Sequence, residues 1–294
     1  MLKALLMTMK PQSFLISVMS VSAGTALAAL QTPIHWGDYF LTVLGVVFLH
    51  GGTNVINDYF DYRNNVDTSE VPGSYGNEKR VLIQKLLLPS QTLWIGLILF
   101  ALSLVIGIYL TFTKGITVFV IGLLGFLVGF FYTANPISFK YIALGEPAVF
   151  LMWGPLMFSG AFYVQTGVVS PEALLLSIPF GILVALVLLA NNIRDIQYDS
   201  RVGIRTLATY LGERRAIRLY GLLAALVYIW TALLVFTGRL SHWGLLALIS
   251  LPLAYKLVRA IRQEIPKDAD ARTAQLDAAF GALLIIGLIL ERFL

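Results

Sequence analysis

Two stretches of the chain carry asparagine and aspartate residues at spacings that would place them on one face of a helix. In the first, Asn54 precedes Asp58 by four residues and Asp58 precedes Asp61 by three, after an apolar run that begins at Tyr39. Residues three or four apart share a helix face. Neighbouring carboxylates repel each other unless a cation lies between them, and oxygen ligands of this kind suit Mg²⁺. The pattern predicts a magnesium site at a helix end.

The second stretch repeats this arrangement at the end of another long apolar run. Asn191, Asp195 and Asp199 follow one another at intervals of four residues and would form one stripe. We expect the two acidic stripes to face each other across one cavity, where bound metal would neutralise a diphosphate group. Basic side chains would complete the charge balance. The candidates are Lys10, Lys79, Arg80, Lys140, Arg194, Arg201 and Arg205. The competing interpretation is that these charged residues only solvate surface loops.

The composition places these stripes in a membrane protein. The chain is 58% hydrophobic and 13% charged, whereas soluble domains carry about 25% charged residues. It contains no cysteine, which excludes disulfides and thiolate metal sites, and its 3 histidines argue against a histidine-rich metal centre. The net charge of +5 is explained by the bias of Lys and Arg toward cytoplasmic loops, so we expect no nucleic-acid partner.

Hydropathy predicts the elements that position the two stripes. We expect an all-α, polytopic membrane protein in which residues 1–294 form a single domain around a central cavity. A membrane helix needs about 20 mostly apolar residues, and by this rule there are about nine spans. The predicted spans are 12–30, 38–60, 92–111, 115–133, 147–165, 173–193, 216–237, 242–260 and 274–292. The first apolar run is long for a signal peptide, so we interpret it as a retained helix.

The distribution of basic residues predicts the orientation of the chain. With these spans, all but three of the 21 Lys and Arg residues lie on the side of the N-terminus; Lys114, Arg239 and Arg292 lie on the other. The basic side of a membrane protein faces the cytoplasm. We therefore expect a protein of the cell membrane with the N-terminus and both acidic stripes on the cytoplasmic side and the C-terminus outside. The two longest loops, 62–91 and 193–215, follow the stripes on that side.

A diphosphate site inside an apolar bundle suggests an isoprenoid diphosphate as the substrate, because that molecule has a polar head and a hydrocarbon tail. Metal bound to the diphosphate would make the allylic carbon electrophilic, and an aromatic ring would then attack it. Aromatic side chains would shield the allylic cation. The candidate liners are Tyr59, Phe60, Phe130, Phe131, Tyr132, Phe150, Trp153, Phe158 and Tyr163.

The two stripes resemble the paired motifs of the UbiA superfamily of intramembrane aromatic prenyltransferases. The first reads Asn57-Asp58-Tyr59-Phe60-Asp61, and the second reads Asp195-Ile196-Gln197-Tyr198-Asp199. The resemblance implies a Mg²⁺-dependent prenyltransferase that acts on a polyprenyl diphosphate and a small aromatic acceptor. It implies metal ligation by Asn54, Asp58, Asp61, Asn191, Asp195 and Asp199. It also implies diphosphate contacts from Asn57, Lys10, Arg80 and Lys140, and a Tyr near the reacting centre at Tyr132.

A finer resemblance concerns the acceptor. The stretches Asn191-Asn192-Ile193-Arg194-Asp195 and Gly203-Ile204-Arg205-Thr206 are similar to the branch that prenylates 1,4-dihydroxy-2-naphthoate in menaquinone synthesis, with loss of the carboxylate. The stretch 73–82 differs from the Gly-rich loop typical of the usual bacterial naphthoate enzyme. Other acceptors, such as 4-hydroxybenzoate and homogentisate, therefore stay open.

Two other functions fit an acidic membrane protein less well. A cation-coupled transporter would carry acids near the bilayer midplane, whereas here they cluster at one face. A phospholipid alcohol transferase would carry a tighter acidic cluster. The sequence does not predict the isoprenoid length, the oligomeric state, the use of a general base or the role of Asp67.

Overall fold

The computed structural model describes residues 2–67 and 81–294, and these residues are almost entirely helical. An isolated bridge between Ile142 and Arg205 is the one β-type pairing in the described ranges. The α-helices are α1 (Leu2–Met9), α2 (Phe14–Ala28), α3 (Trp36–Arg63), α4 (Pro89–Lys114), α5 (Ile116–Phe130), α6 (Gly145–Leu151), α7 (Ser159–Thr166), α8 (Pro171–Arg194), α9 (Ile196–Arg201), α10 (Leu207–Leu211), α11 (Glu213–Phe236), α12 (Leu251–Gln263) and α13 (Ala269–Phe293).

Eight helical segments in the described residues are long and apolar enough to cross a membrane. They are Leu2–Ala28, Trp36–Arg63, Pro89–Lys114, Gly145–Thr166, Pro171–Arg194, Glu213–Phe236, His242–Gln263 and Ala269–Phe293. Each coincides with a predicted span, so the expectation of an all-α membrane bundle is confirmed.

Eight of the nine predicted spans are met by these segments, and the remaining one is shorter than predicted. The segment predicted at 115–133 forms α5, which has only 15 residues and so extends roughly 22 Å, short of the hydrocarbon core of about 30 Å. Helix α5 ends at Phe130 and residues 131–137 form turns. The cap residue Phe131 has non-helical geometry, with φ of −78° and ψ of 5°, and Pro136 disfavours a return to helical geometry at Asn135.

The span Gly145–Thr166 is built from three pieces. Helix α6 passes into a π-helix, Met152–Phe158, which passes into α7. Pro155 lies inside the π segment. Proline lacks a backbone N–H and interrupts the regular hydrogen-bond ladder, and π-type turns accommodate such an interruption. The widened turn places Trp153 toward the interior, where its indole N–H donates to Ser17 at 2.9 Å.

Helix α8 lies at the centre of the bundle. Its most apolar window is 72% buried, compared with 22% for α4. A glycine permits its close approach to the π segment, since a Cβ on Gly154 would lie 2.9 Å from the carbonyl oxygen of Ser177. Small residues at such crossings let membrane helices pack tightly. The close contact fixes α8, whose end carries the second acidic stripe, against the span Gly145–Thr166.

Candidate active site

The first acidic stripe lies on the last turns of α3, which continues without interruption to Arg63. Asp58 accepts hydrogen bonds from Lys10 Nζ at 2.7 Å and from Thr8 Oγ1 at 2.8 Å. Lys10 has a left-handed backbone, with φ of 55°, in the short connection between α1 and α2. The N-terminal segment thus folds over the end of α3 and supplies a cation to Asp58.

Asp61 is bound by a different part of the chain, the segment between α5 and α6. Its side chain forms an ion pair with Lys140 Nζ at 2.6 Å and accepts a hydrogen bond from the Tyr141 hydroxyl. Both partners belong to a 3₁₀ turn, Phe139–Tyr141, between α5 and α6. The residue is only 4% exposed, and a carboxylate so deeply buried requires partners of this kind.

The second stripe does not lie on one continuous helix, as the spacing had suggested. Helix α8 ends at Arg194, and Asp195 is the junction to α9, with φ of −96° and ψ of 6°. The backbone N–H of Asp195 still donates to the carbonyl of Asn191 at 3.0 Å, and the backbone N–H of Asp199 donates to the carbonyl of Asp195 at 2.9 Å. These two backbone hydrogen bonds, each between residues four apart, keep Asn191, Asp195 and Asp199 in helical register across the junction.

Arg194 organises the second stripe. It forms two hydrogen bonds with the Asp195 carboxylate, each of 2.8 Å, and donates to Asn191 Oδ1 at 2.6 Å. It also pairs with Asp270 at the start of α13, at 2.8 Å. A planar guanidinium is suited to bridging several oxygens. Arg194 thus joins α8 to α13 on the face that carries the site.

Residues of the two stripes lie near each other, and Asn54 and Asn191 line the same cavity. The Tyr198 hydroxyl donates to the carbonyl of Val66, just after α3, at 2.7 Å. Burial raises the pKa of Asp199 to about 7; the charge of Lys140 opposes this increase, whereas those of Asp195 and Asp61 add to it. Asp199 therefore lies within electrostatic range of both stripes, and carboxylates gathered in this way favour a bound cation.

A cavity of about 250 Å³ opens between the stripes. Its polar wall includes Asn54, Asn57, Tyr132, Lys140 and Asn191. Its apolar wall consists of Ile16, Val149, Met152, Trp153, Val184, Val187 and Leu188. A polar mouth above an apolar interior suits a ligand with a charged head and a hydrocarbon body.

Tyr132 lies at the boundary between the two walls. Burial, and then the charges of Glu146 and Asp61, raise the pKa of its phenol well above the ordinary value. Of the aromatic side chains that were predicted to line the site, only Tyr132 and Trp153 line this cavity in the part of the chain that the structure describes. Phe158 instead packs in the main core, and the Tyr163 hydroxyl donates to Lys114 near the opposite face.

The oxygen donors of the first stripe fit a metal ion. Both N–H groups of Asn54 are used, with the carbonyl of Met9 at 2.9 Å and Ser13 Oγ at 3.1 Å, so its Oδ1 is the atom left for a cation. Asn57 Oδ1 is buried and has no hydrogen-bond partner within the described ranges. Amide and carboxylate oxygens are preferred ligands of Mg²⁺. No cluster of three or more His, Asp or Glu side chains is close enough to hold a metal in the described residues, so a metal held by these carboxylates would also need the amide oxygens.

The sequence pattern of the UbiA prenyltransferase family matches residues 17–284. The chain belongs to this family. A curated relative, the 1,4-dihydroxy-2-naphthoate octaprenyltransferase of Bacillus subtilis (strain 168), is 30% identical over 97% of this chain and 91% of its own length. The UbiA prenyltransferase domain-containing protein 1 of Rattus norvegicus is also 30% identical, over 97% of this chain and 82% of its own.

The fold agrees with that of solved family members. A UbiA homologue from Archaeoglobus fulgidus, bound to GPP and Mg²⁺, superposes with a TM-score of 0.71 over 97% of this chain and 99% of its own, at 15% identity. The resemblance inferred from the paired motifs is thereby confirmed. This UbiA chain is an integral membrane protein and a prenyltransferase of the intramembrane type.

The predicted diphosphate contacts of this UbiA chain fall into three groups. Lys10, Lys140 and Arg194 already pair with site carboxylates. Arg201 and Arg205 are exposed around the end of α9, and the carbonyl of Arg205 accepts a hydrogen bond from Ala143 at 2.6 Å. Lys79 and Arg80 lie outside the described residues. The assignment of roles to all these residues stays a prediction.

Several site residues were not predicted. Tyr141 neighbours the predicted Lys140, Thr8 precedes Lys10, and Asp270 opens the last span; each lies close to a polar position that the sequence did single out. His50 has a more specific signal, because it is a histidine inside an apolar run one turn before Asn54. It is 6% exposed, and its two ring nitrogens contact Ser13 at 3.2 Å and Ser17 at 2.8 Å.

Proposed function

We propose that this protein transfers an isoprenoid chain from an allylic polyprenyl diphosphate to 1,4-dihydroxy-2-naphthoate, with loss of the carboxylate, as a step of menaquinone biosynthesis. The observation that carries the proposal is one cavity lined by Asn54 and Asn191 of the two stripes and by Lys140, with apolar side chains forming the rest of its wall. The relationship to the Bacillus subtilis enzyme supports the choice of acceptor.

We assign a role to each group of side chains from its position in the site. Asn54, Asp58 and Asp61 on one side, and Asn191, Asp195 and Asp199 on the other, would hold Mg²⁺, which would draw electrons toward the leaving diphosphate. Lys140, Lys10 and Arg194 are placed to exchange part of their contact with carboxylates for the diphosphate oxygens. Asn57, Arg201 and Arg205 are assigned weaker contacts with the diphosphate, and Arg80, which lies outside the described residues, stays a predicted contact. The apolar wall beneath would receive the isoprenoid chain and exclude water.

The proposed transfer breaks one C–O bond, forms one C–C bond and breaks the C–C bond to the carboxylate. The allylic C–O bond breaks, and the diphosphate leaves with the electron pair. The ring carbon that bears the carboxylate forms the new C–C bond, and CO₂ departs so that the electrons of its C–C bond restore the aromatic ring. No side chain has to remove a ring proton. Tyr132 and Trp153, which line the cavity, would face the allylic cation with their π electrons.

Sequence identity alone does not select the acceptor. The Rattus norvegicus relative, which bears a different name, is 30% identical to this chain, as is the naphthoate enzyme. The same fold and stripes could therefore serve another aromatic ring, such as 4-hydroxybenzoate or homogentisate. We place the site at the cytoplasmic face of the cell membrane, on the basis of the Lys and Arg distribution.

The deciding experiment is a transfer assay on purified protein in detergent with Mg²⁺ and radiolabelled geranylgeranyl diphosphate. The three acceptor acids are supplied separately, and the products are separated by chromatography. We expect a prenylated naphthoquinol product and its loss by at least a hundredfold in Asp58→Ala and in Asp195→Ala. Asp38→Asn is the matched control, because Asp38 pairs with Lys114 at 2.5 Å at the start of the same helix α3. Product from another ring alone would replace the acceptor, and full activity of Asp58→Ala and Asp195→Ala would refute the mechanism.

A further inference from the structure

A second cavity lies between α11 and α12, apart from the candidate active site. Its volume is about 420 Å³, and among the described residues the two cavities have no lining residue in common. Its walls are small or apolar and include Gly221, Ala225 and Val258. The neighbouring Leu222 is 69% exposed and Tyr255, which lines the cavity, is 67% exposed. In a membrane protein such apolar exposure faces lipid, so the cavity is a groove that opens to the bilayer.

One end of this groove is strongly basic. Arg259 and Arg262 belong to its lining, and the Arg262 guanidinium lies directly over α11, where a Cβ on Gly221 would be 2.9 Å from it. Both arginines are exposed, and neither forms an ion pair with an acidic side chain in the described ranges. Arg218 precedes Gly221 by one turn on the same face of α11.

The other end of the groove is closed and neutral. The hydroxyl of Tyr228, which is buried, lies 2.8 Å from Ser250 Oγ, across the start of α12. The groove is therefore polar and positive at one end and apolar along the rest of its length. That end is also the end of the bundle that carries the candidate active site, because α12 runs toward α13 and its Asp270, which pairs with Arg194.

We propose that this groove binds an anionic phospholipid, with its phosphate between Arg259 and Arg262 and one acyl chain along Gly221, Ala225 and Val258. Guanidinium groups bind phosphate oxygens in a planar, two-pronged geometry. Basic pockets between membrane helices on the cytoplasmic side are suited to anionic headgroups. The groove holds no acidic residue, so it lacks the metal ligands that accompany a diphosphate in the candidate active site. This distinction favours a phospholipid over the isoprenoid substrate.

The test is native mass spectrometry of the purified, delipidated protein with added phosphatidylglycerol or, separately, phosphatidylcholine. We expect one phosphatidylglycerol to be retained per chain and at least fivefold less phosphatidylcholine. The double variant Arg259→Gln/Arg262→Gln should lose at least fivefold of the phosphatidylglycerol. Arg215→Gln/Lys256→Gln is the matched control: it removes the same charge from exposed positions of the same two helices that do not line the groove, and it should retain the lipid.

A second pair of variants keeps the test decisive if the double variant fails to fold. Arg262→Lys preserves the charge and should retain phosphatidylglycerol, whereas Ala225→Leu fills the apolar part and should reduce binding of both lipids. Equal retention by wild type, the double variant and Ala225→Leu would overturn the proposal. It would also be overturned if geranylgeranyl diphosphate displaced the phosphatidylglycerol at equal concentration.

Discussion

Asn54 illustrates how a single side chain of the candidate site is oriented. The amide of Asn54 donates to Ser13 Oγ, and Ser13 in turn donates to the carbonyl of Lys10 at 2.8 Å. Because the Ser13 hydroxyl proton is used in this way, His50 Nε2, at 3.2 Å, must be the donor to Ser13. His50 Nδ1 then accepts from Ser17, which receives the Trp153 indole N–H. A chain of hydrogen bonds thus runs from Trp153 in the cavity wall to Ser13, which also accepts from Asn54 of the first stripe.

The chain predicts that Ser13→Ala weakens metal binding. Loss of the Ser13 hydroxyl leaves one Asn54 N–H without its acceptor, so only the hydrogen bond to the Met9 carbonyl still orients the amide and its Oδ1 is held less firmly toward the cation. A neutral hydrogen bond contributes about 1 kcal/mol, which corresponds to roughly a fivefold weaker affinity. The measurement is a titration of the purified protein with Mn²⁺, followed by the electron paramagnetic resonance of the free ion.

Ser22→Ala is the matched control for this measurement. Ser22 belongs to the same helix α2, and its hydroxyl lies 2.9 Å from that of Tyr39, away from the acidic stripes. It should leave the Mn²⁺ affinity unchanged. If Ser13→Ala also binds Mn²⁺ with the wild-type affinity, Ser13 does not orient a metal ligand.

At the scale of the elements, one interhelical contact governs how α2 packs. A Cβ placed on Gly24 would lie only 2.2 Å from the carbonyl oxygen of Phe158, at the end of the π-helix. Because the obstructing atom belongs to the backbone, a side chain at this position cannot be accommodated by a change of rotamer. Glycine here allows α2 to pack against the segment that also presents Trp153 to the cavity.

Gly24→Ala should therefore destabilise the bundle. Overpacking a helix crossing costs about 1–3 kcal/mol, which for a chain of this size corresponds to a decrease in Tm of roughly 5 °C. Thermal unfolding of the detergent-solubilised protein, followed by tryptophan fluorescence, measures the shift. Gly107→Ala is the control, since nothing lies within 4 Å of a Cβ at that position of α4; equal Tm values for the two variants would show that the close contact is not required.

At the scale of the whole molecule, charge is separated along the bundle axis. Lys10, Lys140 and Arg194 gather at the face with the acidic stripes. At the opposite face, Lys114 pairs with Asp38 at 2.5 Å and Arg239 pairs with Glu172 at 2.8 Å. The excess of basic residues on the site face predicts that this face is cytoplasmic.

The absence of cysteine makes this orientation easy to measure. Glu213 and Thr237 are exposed at opposite ends of α11, whose 24 residues span about 36 Å. In intact cells, a membrane-impermeant maleimide should label Thr237→Cys and leave Glu213→Cys unlabelled until the membrane is permeabilised. The reverse labelling pattern would place the active site outside the cytoplasm.

The sequence by itself determined the parts of this protein that depend on local pattern. Long apolar runs specify membrane helices, and the spacings of Asn54, Asp58 and Asp61 specify a shared helix face, because both follow from the geometry of a single helix. The composition alone placed the chain in a membrane. The paired motifs were enough to indicate the family.

Tertiary structure decided what depends on residues far apart in the chain. Lys140 reaches Asp61 across 79 residues, and Arg194 reaches Asp270 across 76; no local pattern encodes such pairs, because they arise only when separate helices pack together. Packing also decided three other features that the sequence did not predict. These are the early end of α5, the π-helix around Pro155 and the basic groove between α11 and α12. Sequence indicates which residues can do chemistry, whereas packing determines which of them meet.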